Sequence, residues 1–307
     1  MIRLPRRFAS PHTPDMQTGA THEHTGRGIL AIISAVFFFS AADTLAKWLA
    51  HQGYPPAEVV FFRYLFGLFP VILLIRKFGI DTLRTRRPFM HAFRACLIFS
   101  ALVLFFWGLK YMPLAEAIAV AFIGPLFVTA LSVPLLGEHV GPRRWCAVII
   151  GFIGTLVVLQ PGTEAFRIEA ILIVGSAFLF SVAMILTRRM SRTETSISMF
   201  AYSTIGAGLI SIPFLGLAWQ PPDLEHLFAF ALLGFIGGTA AYLIIIAYRN
   251  ASASVIAPFD YTALIWASLL GWLIWNEQPG FSVWIGASII ILSSLYIARR
   301  EAKLDNI

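Results

Sequence analysis

Ten apolar segments, each close to twenty residues long, follow one another along this chain with only short polar connectors between them. Crossing the hydrocarbon core of a bilayer takes about 20 residues of helix. The segments lie at 28–49, 57–75, 89–109, 113–136, 143–160, 168–189, 197–218, 226–248, 252–275 and 281–298 of 307 residues. In hydrocarbon, every backbone amide and carbonyl must find its partner inside the protein, and a helix does this within one segment. The pattern predicts an all-α membrane protein with ten transmembrane helices. Composition agrees, because only 13% of residues are charged, against about 25% in soluble domains. No connector is long enough to fold separately, so 28–300 reads as one ten-helix domain.

Residues 1–27 are polar and carry Arg3, Arg6 and Arg7. They lack the short apolar core near Met1 that marks a secretory signal, and read as a disordered cytoplasmic tail, with 301–307 as a second one. Of the 23 Lys and Arg residues, 18 fall on the side shared by both tails. Lys47, Lys110 and Arg167 fall opposite, while Arg63 and Arg94 lie within spans. Basic residues collect on the cytoplasmic side, so both termini are expected inside. The net charge of +7 then reflects topology and gives no reason to expect a nucleic-acid partner. The expected partners are the lipid bilayer and a small-molecule substrate. Cys96 and Cys146 lack the spacing of metal or redox pairs and are expected to be buried thiols.

The chain also matches itself. A shift of 139 residues lays Lys110 on Arg249, Glu138 on Glu277, Gly141 on Gly280 and Trp145 on Trp284 without a gap. A shift of 141 lays Phe37–Ala42 on Phe178–Ala183 and Lys47 on Arg188, and a shift of 138 lays Phe62-Arg63-Tyr64 on Phe200-Ala201-Tyr202. The halves, about 28–160 and 168–298, hold five spans each. With an odd number of spans they enter the membrane in opposite senses, as in many secondary transporters. The prediction is two inverted five-helix repeats around a midplane site.

These residues resemble the drug/metabolite transporter superfamily, EamA type. The likeness rests on Phe62-Arg63-Tyr64, on Lys110-Tyr111-Met112-Pro113-Leu114-Ala115, and on the span endings Gly137-Glu138 and Asn276-Glu277. It implies a multi-pass carrier of the bacterial inner membrane that moves small metabolites, often amino acids. Ala257-Pro258-Phe259-Asp260-Tyr261-Thr262 is similar to branches that move amino acids, S-adenosylmethionine or riboflavin. The leading expectation is export of amino acids, aromatic ones included, by alternating access. The alternative is uptake of a nucleoside-like cofactor such as S-adenosylmethionine or riboflavin. An intramembrane enzyme and a channel are the readings from other classes. The halves differ where Pro125 has Leu264 as its counterpart.

An ionisable group at mid-bilayer costs on the order of 3 kcal/mol on insertion scales and marks a functional candidate. Asp260 lies well inside span 9 and on a helix shares one stripe with Ala263, Ala267 and Gly271. Contact with substrate or a proton is expected of it, against a structural hydrogen bond. Asp43 and Lys47, one turn apart, read either as a local ion pair or as cavity lining. Arg63 either snorkels or binds a carboxylate bidentately. Tyr242, Tyr261 and Trp266 lie deep enough to wall an amphiphilic cavity. Glu116, Glu138 and Glu277 read as structural, and Arg94 as snorkelling towards the cytoplasm. The chain holds no GxxxxGK[ST] loop, HExxH or GxSxG pattern. No catalytic residue, cofactor or metal site is expected; protons are a candidate co-substrate.

Overall fold

The computed structural model describes residues 18–137, 140–163, 167–191, 193–251 and 253–304. The expected tail segments 1–17 and 305–307, Glu138 and the side chain of Arg249 lie outside the described residues. Everything regular is helical. The helices are α1 (Thr18–His51), α2 (Pro56–Phe78), α3 (Pro88–Tyr111), α4 (Leu114–Ala121), α5 (Gly124–Leu136) and α6 (Pro142–Leu159). They continue with α7 (Ala170–Met190), α8 (Ser196–Ala218), α9 (Leu224–Asn250), α10 (Ala253–Asp260), α11 (Thr262–Trp275) and α12 (Phe281–Leu304). Among the described residues, eight segments are long and apolar enough to cross a bilayer, counting α4 and α5 as one, and Phe281–Ile297 of α12 is a shorter apolar stretch. The chain is an all-α, multi-pass membrane protein.

Helix starts follow local chemistry. Proline occupies the first turn of α2, α3 and α6, where a missing N–H costs nothing. Asp223 caps α9 by accepting the His226 amide at 2.8 Å, and Thr195 caps α8 by accepting the Ser198 amide at 3.0 Å. Two expectations change. The first helix begins at Thr18, inside the expected tail, because no proline between Pro14 and Pro55 stops it from running on. The segments 113–136 and 252–275 are each two helices, broken at Phe122-Ile123 and at Tyr261. Pro125, in the first turn of α5, cannot donate to the preceding turn and accounts for the first break. The second falls one turn after Pro258, inside α10.

In the bundle, α1 packs on α9, α3 on α7 and α8, and α2 on α8 and α9, while α6 pairs with α12. Close approach needs small residues, as in other membrane helix pairs. A Cβ on Gly234 of α9 would sit 2.8 Å from the Arg63 carbonyl oxygen of α2, and one on Gly286 of α12 would sit 2.5 Å from that of Gly154 of α6. Large apolar side chains such as Phe89, Leu224, Ile265 and Leu292 are exposed, as expected where lipid is the solvent. Cys96 and Cys146 are exposed as well. This corrects the expectation of buried thiols: an apolar face can meet lipid as readily as core.

Candidate functional site

A cavity of about 450 Å³ opens among α1, α2, α3, α7, α8 and α9 and reaches the α4–α5 break. Its size lies in the range of small-molecule sites, about 300–1,000 Å³. The walls are mostly apolar, built from Phe39, Phe105, Ile118, Phe180 and Phe200 among others. Gly67, Gly124, Gly237 and Gly238 keep the space open by contributing no side chain.

Asp43 and Arg63 supply charge to this wall. Arg63 Nη1 lies 3.7 Å from Asp43 Oδ1, and the two side chains are only 11% and 15% exposed. The guanidinium is flanked by the Phe106 and Phe39 rings, at 5.7 and 5.9 Å, a cation–π geometry. Gly237 makes room for it, since a Cβ there would meet Arg63 Cζ at 3.5 Å. Arg63 Nη1 is buried without a hydrogen-bond partner, a donor available to a ligand in the cavity. Arg63 therefore does not snorkel: Asp43 and the rings hold it inside.

Asp43 and Lys47 are not a local pair. Lys47 is fully buried and donates to Glu277 Oε1 and, at 2.8 Å, to the Met112 carbonyl. Glu277 Oε2 accepts the Leu114 amide at 2.8 Å, and the Trp275 ring lies 4.8 Å from the ammonium. The cluster ties α1, the α3–α4 turn and the end of α11 together at one end of the bundle. The other end has its own cluster. His91 Nε2 of α3 lies 3.4 Å from Glu194 Oε2 in the α7–α8 connector, and Tyr202 donates to the Leu83 carbonyl at 3.0 Å. Burial alone would raise the Glu194 carboxyl. Hydrogen bonds involving Thr85 and His91 outweigh it and hold the group below its ordinary value.

The remaining expected site residues lie elsewhere. Asp260, Tyr242, Tyr261 and Trp266 are half-buried and are not among the residues lining this cavity. Gly271 packs near Leu114 and Glu277 at the end of α11, and Ala267 belongs to the same buried apolar cluster as Leu114. Tyr261 stacks edge-on against Phe122, the residue at the other break, at 5.1 Å. Trp266 packs edge-on against Phe37 at 5.1 Å. Asp260 lies in electrostatic range of Tyr248 and Tyr261.

Arg94, expected to snorkel, is 6% exposed. It donates to Thr187 Oγ1 of α7 at 3.2 Å, to Ser203 Oγ of α8 at 2.5 Å and to the Met199 carbonyl. Ser203 lines the cavity. An arginine five residues into an apolar segment is equally compatible with the interface and with the interior, so sequence alone could not assign Arg94.

The sequence pattern of the EamA-like transporter family matches twice, over residues 26–160 and 167–299. An S-adenosylmethionine uptake transporter of Rickettsia bellii is 32% identical over 275 residues, spanning 90% of this chain and 93% of its own length. A riboflavin transporter of Vibrio cholerae is 31% identical over 288 residues, spanning 91% and 95%. A solved crystal structure shares the fold, with a TM-score of 0.60 at 21% identity over 91% of this chain and 98% of that one. These relatives correct the expectation of amino-acid export. The similarity runs to carriers named for S-adenosylmethionine uptake and for riboflavin, and the two substrates share a heterocycle with a polar substituent.

Proposed function

Because the chain belongs to the EamA-like transporter family, we propose that it is an uptake carrier for a nucleoside-like cofactor of the S-adenosylmethionine or riboflavin kind, working by alternating access. It is a multi-pass protein of the bacterial inner membrane. The observation that carries the reading is the cavity of about 450 Å³ with apolar, aromatic walls and a largely buried Asp43–Arg63 ion pair whose Nη1 has no hydrogen-bond partner. Aromatic walls suit a heterocycle, and the polar pair suits its hydrogen-bonding substituents.

The mechanism proposed for it has ten crossings in two inverted repeats, about 28–160 and 168–298, with both tails cytoplasmic. In this arrangement α10 with α11, and α12, supply the last two crossings. Several features support it. The two family matches fall on the two halves. The helix breaks at Phe122 and Tyr261 are 139 residues apart, the same offset that superposes the Trp145 and Trp284 segments. Exchanging α1, α2, α3 and α6 for α7, α8, α9 and α12 turns the α1–α9 contact into α7–α3 and the α2–α9 contact into α8–α3. The same exchange leaves the α2–α8 and α6–α12 pairs unchanged. In this mechanism Asp43 and Arg63 contact substrate, Phe122 and Tyr261 sit at the crossing of the broken helices, and Asp260 is the candidate proton carrier.

The test is uptake of labelled riboflavin and of labelled S-adenosylmethionine into proteoliposomes, with and without a pH gradient. At least one compound should accumulate. Arg63→Lys should lower that flux at least about tenfold, equivalent to about 1.4 kcal/mol of transition-state stabilisation, with normal expression. Loss of the pH-gradient response in Asp260→Asn, with flux otherwise retained, would support the proton role. Wild-type vesicles that accumulate neither compound would sink the reading.

A further inference from the structure

The charge around the cavity does not balance. Asp43 is the one carboxylate among its described lining residues, and it is already engaged by Arg63 at 3.7 Å. A second guanidinium, Arg94, is not itself a lining residue but donates to Ser203 of the wall. All three of its hydrogen-bond acceptors are neutral: two hydroxyls and a backbone carbonyl. Its Nε is buried with no partner. Glu194, the acid of the nearby connector, is engaged by His91 at 3.4 Å. Tyr64, on the cavity wall, lies in electrostatic range of both Arg63 and Arg94.

The site therefore has two buried guanidiniums against one carboxylate. A buried charge without its opposite is costly in a low-dielectric interior, and a ligand that supplies the missing negative charge or acceptor oxygens relieves that cost. A ligand with net positive charge adds to it. We propose that the cavity selects ligands of zero or negative net charge, seating an anionic or carbonyl-rich group between Arg63 and Arg94, and discriminates against cations. Among cofactors with a heterocycle and a polar substituent, this favours the uncharged flavin-like class over a sulfonium. The inference rests on the carrier reading above and narrows it.

The experiment compares two ligands that differ by one methyl group and its positive charge: S-adenosylmethionine and its demethylated thioether. Binding of each, and of riboflavin, is measured on the purified full chain by equilibrium dialysis. The thioether should bind at least about tenfold tighter than the sulfonium, a difference of about 1.4 kcal/mol. That ratio should be retained in Arg94→Lys and fall towards unity in Arg94→Gln. Riboflavin binding without either adenosyl compound would overturn the inference, since the uncharged thioether is then rejected along with the sulfonium. Equal or tighter binding of the sulfonium by the wild-type protein overturns the inference while leaving the carrier reading intact, and this needs no variant to fold. Binding of none of the three overturns both.

Discussion

Glu277 is the residue whose removal has the most calculable consequence. It supplies the only carboxylate hydrogen-bonded to Lys47 among the described residues, and Lys47 is 2% exposed. Glu277→Ala leaves the ammonium buried with the Met112 carbonyl and the Trp275 ring as its remaining contacts and Glu116 in electrostatic range. Breaking a buried pair by removing one partner costs about 3–5 kcal/mol. Glu277 itself is 21% exposed, so water reaches part of the vacated site and the lower end, about 3 kcal/mol, applies. The Leu114 amide also loses its acceptor, which adds about 1 kcal/mol. Lys47→Met should cost about as much as the broken pair alone, since it strands the carboxylate. In Lys47→Met/Glu277→Gln no charge is stranded, and the glutamine oxygen can still accept from Leu114. The double variant should therefore be more stable than either Lys47→Met or Glu277→Ala. A double-mutant cycle completed with Glu277→Gln, read by thermal unfolding in detergent, should show a coupling of at least about 2 kcal/mol, well above the scatter of independent sites. Additive effects within about 0.5 kcal/mol would mean that the cluster is a surface contact and that the reasoning from burial is wrong.

Two glycines of α9 should separate packing from binding. Gly234→Ala puts a Cβ 2.5 Å from Phe66 Cβ and 2.8 Å from the Arg63 carbonyl, so thermal stability should fall by about 1–3 kcal/mol. Gly237→Val, whose Cβ meets the Arg63 guanidinium at 3.5 Å, should displace that group and cut ligand binding at least about tenfold, with any loss of stability coming from the Asp43–Arg63 pair and not from helix packing. Glu194 predicts a pH effect. Its folded value is lowered from the ordinary 4.5, so its stabilisation is present above that pH and disappears as pH falls through the lowered folded value. The difference in unfolding temperature between wild type and Glu194→Gln should be present at pH 7 and close on acidification below 4.5; a constant gap would contradict the assignment.

Hydropathy made the membrane class legible and placed eight membrane-length helices among the described residues to within a few residues, because desolvating the backbone forces long apolar helices. It could not see the breaks at Phe122 and Tyr261, since a window averaging twenty residues registers apolarity and not hydrogen-bond phase. Pro125 was the available signal for the first break. The embedded charges were legible as candidates and illegible as pairs. The four-residue spacing of Asp43 and Lys47 suggested a local pair, yet their partners are Arg63 on α2 and Glu277 beyond α11. Buried charges are paired by whichever helix packs against them, and helix neighbours are a property of topology that one sequence does not print. Which helices wall a cavity is likewise a matter of topology: Asp260, on α10, is not among the residues lining the space between α1, α2, α3, α7, α8 and α9.

The ring contact between Phe122 and Tyr261, at 5.1 Å, lies where both broken segments are interrupted. If the proposed alternating access swings half-helices about this point, the rings have almost no lever arm and the helix ends, where the Lys47–Glu277 cluster lies, have the longest. A pair of spin labels near the fulcrum would record a nearly constant distance through a transport cycle. Labels at the rim would record nearly all of the travel. Stiffness at the centre and freedom at the periphery are therefore compatible in one bundle.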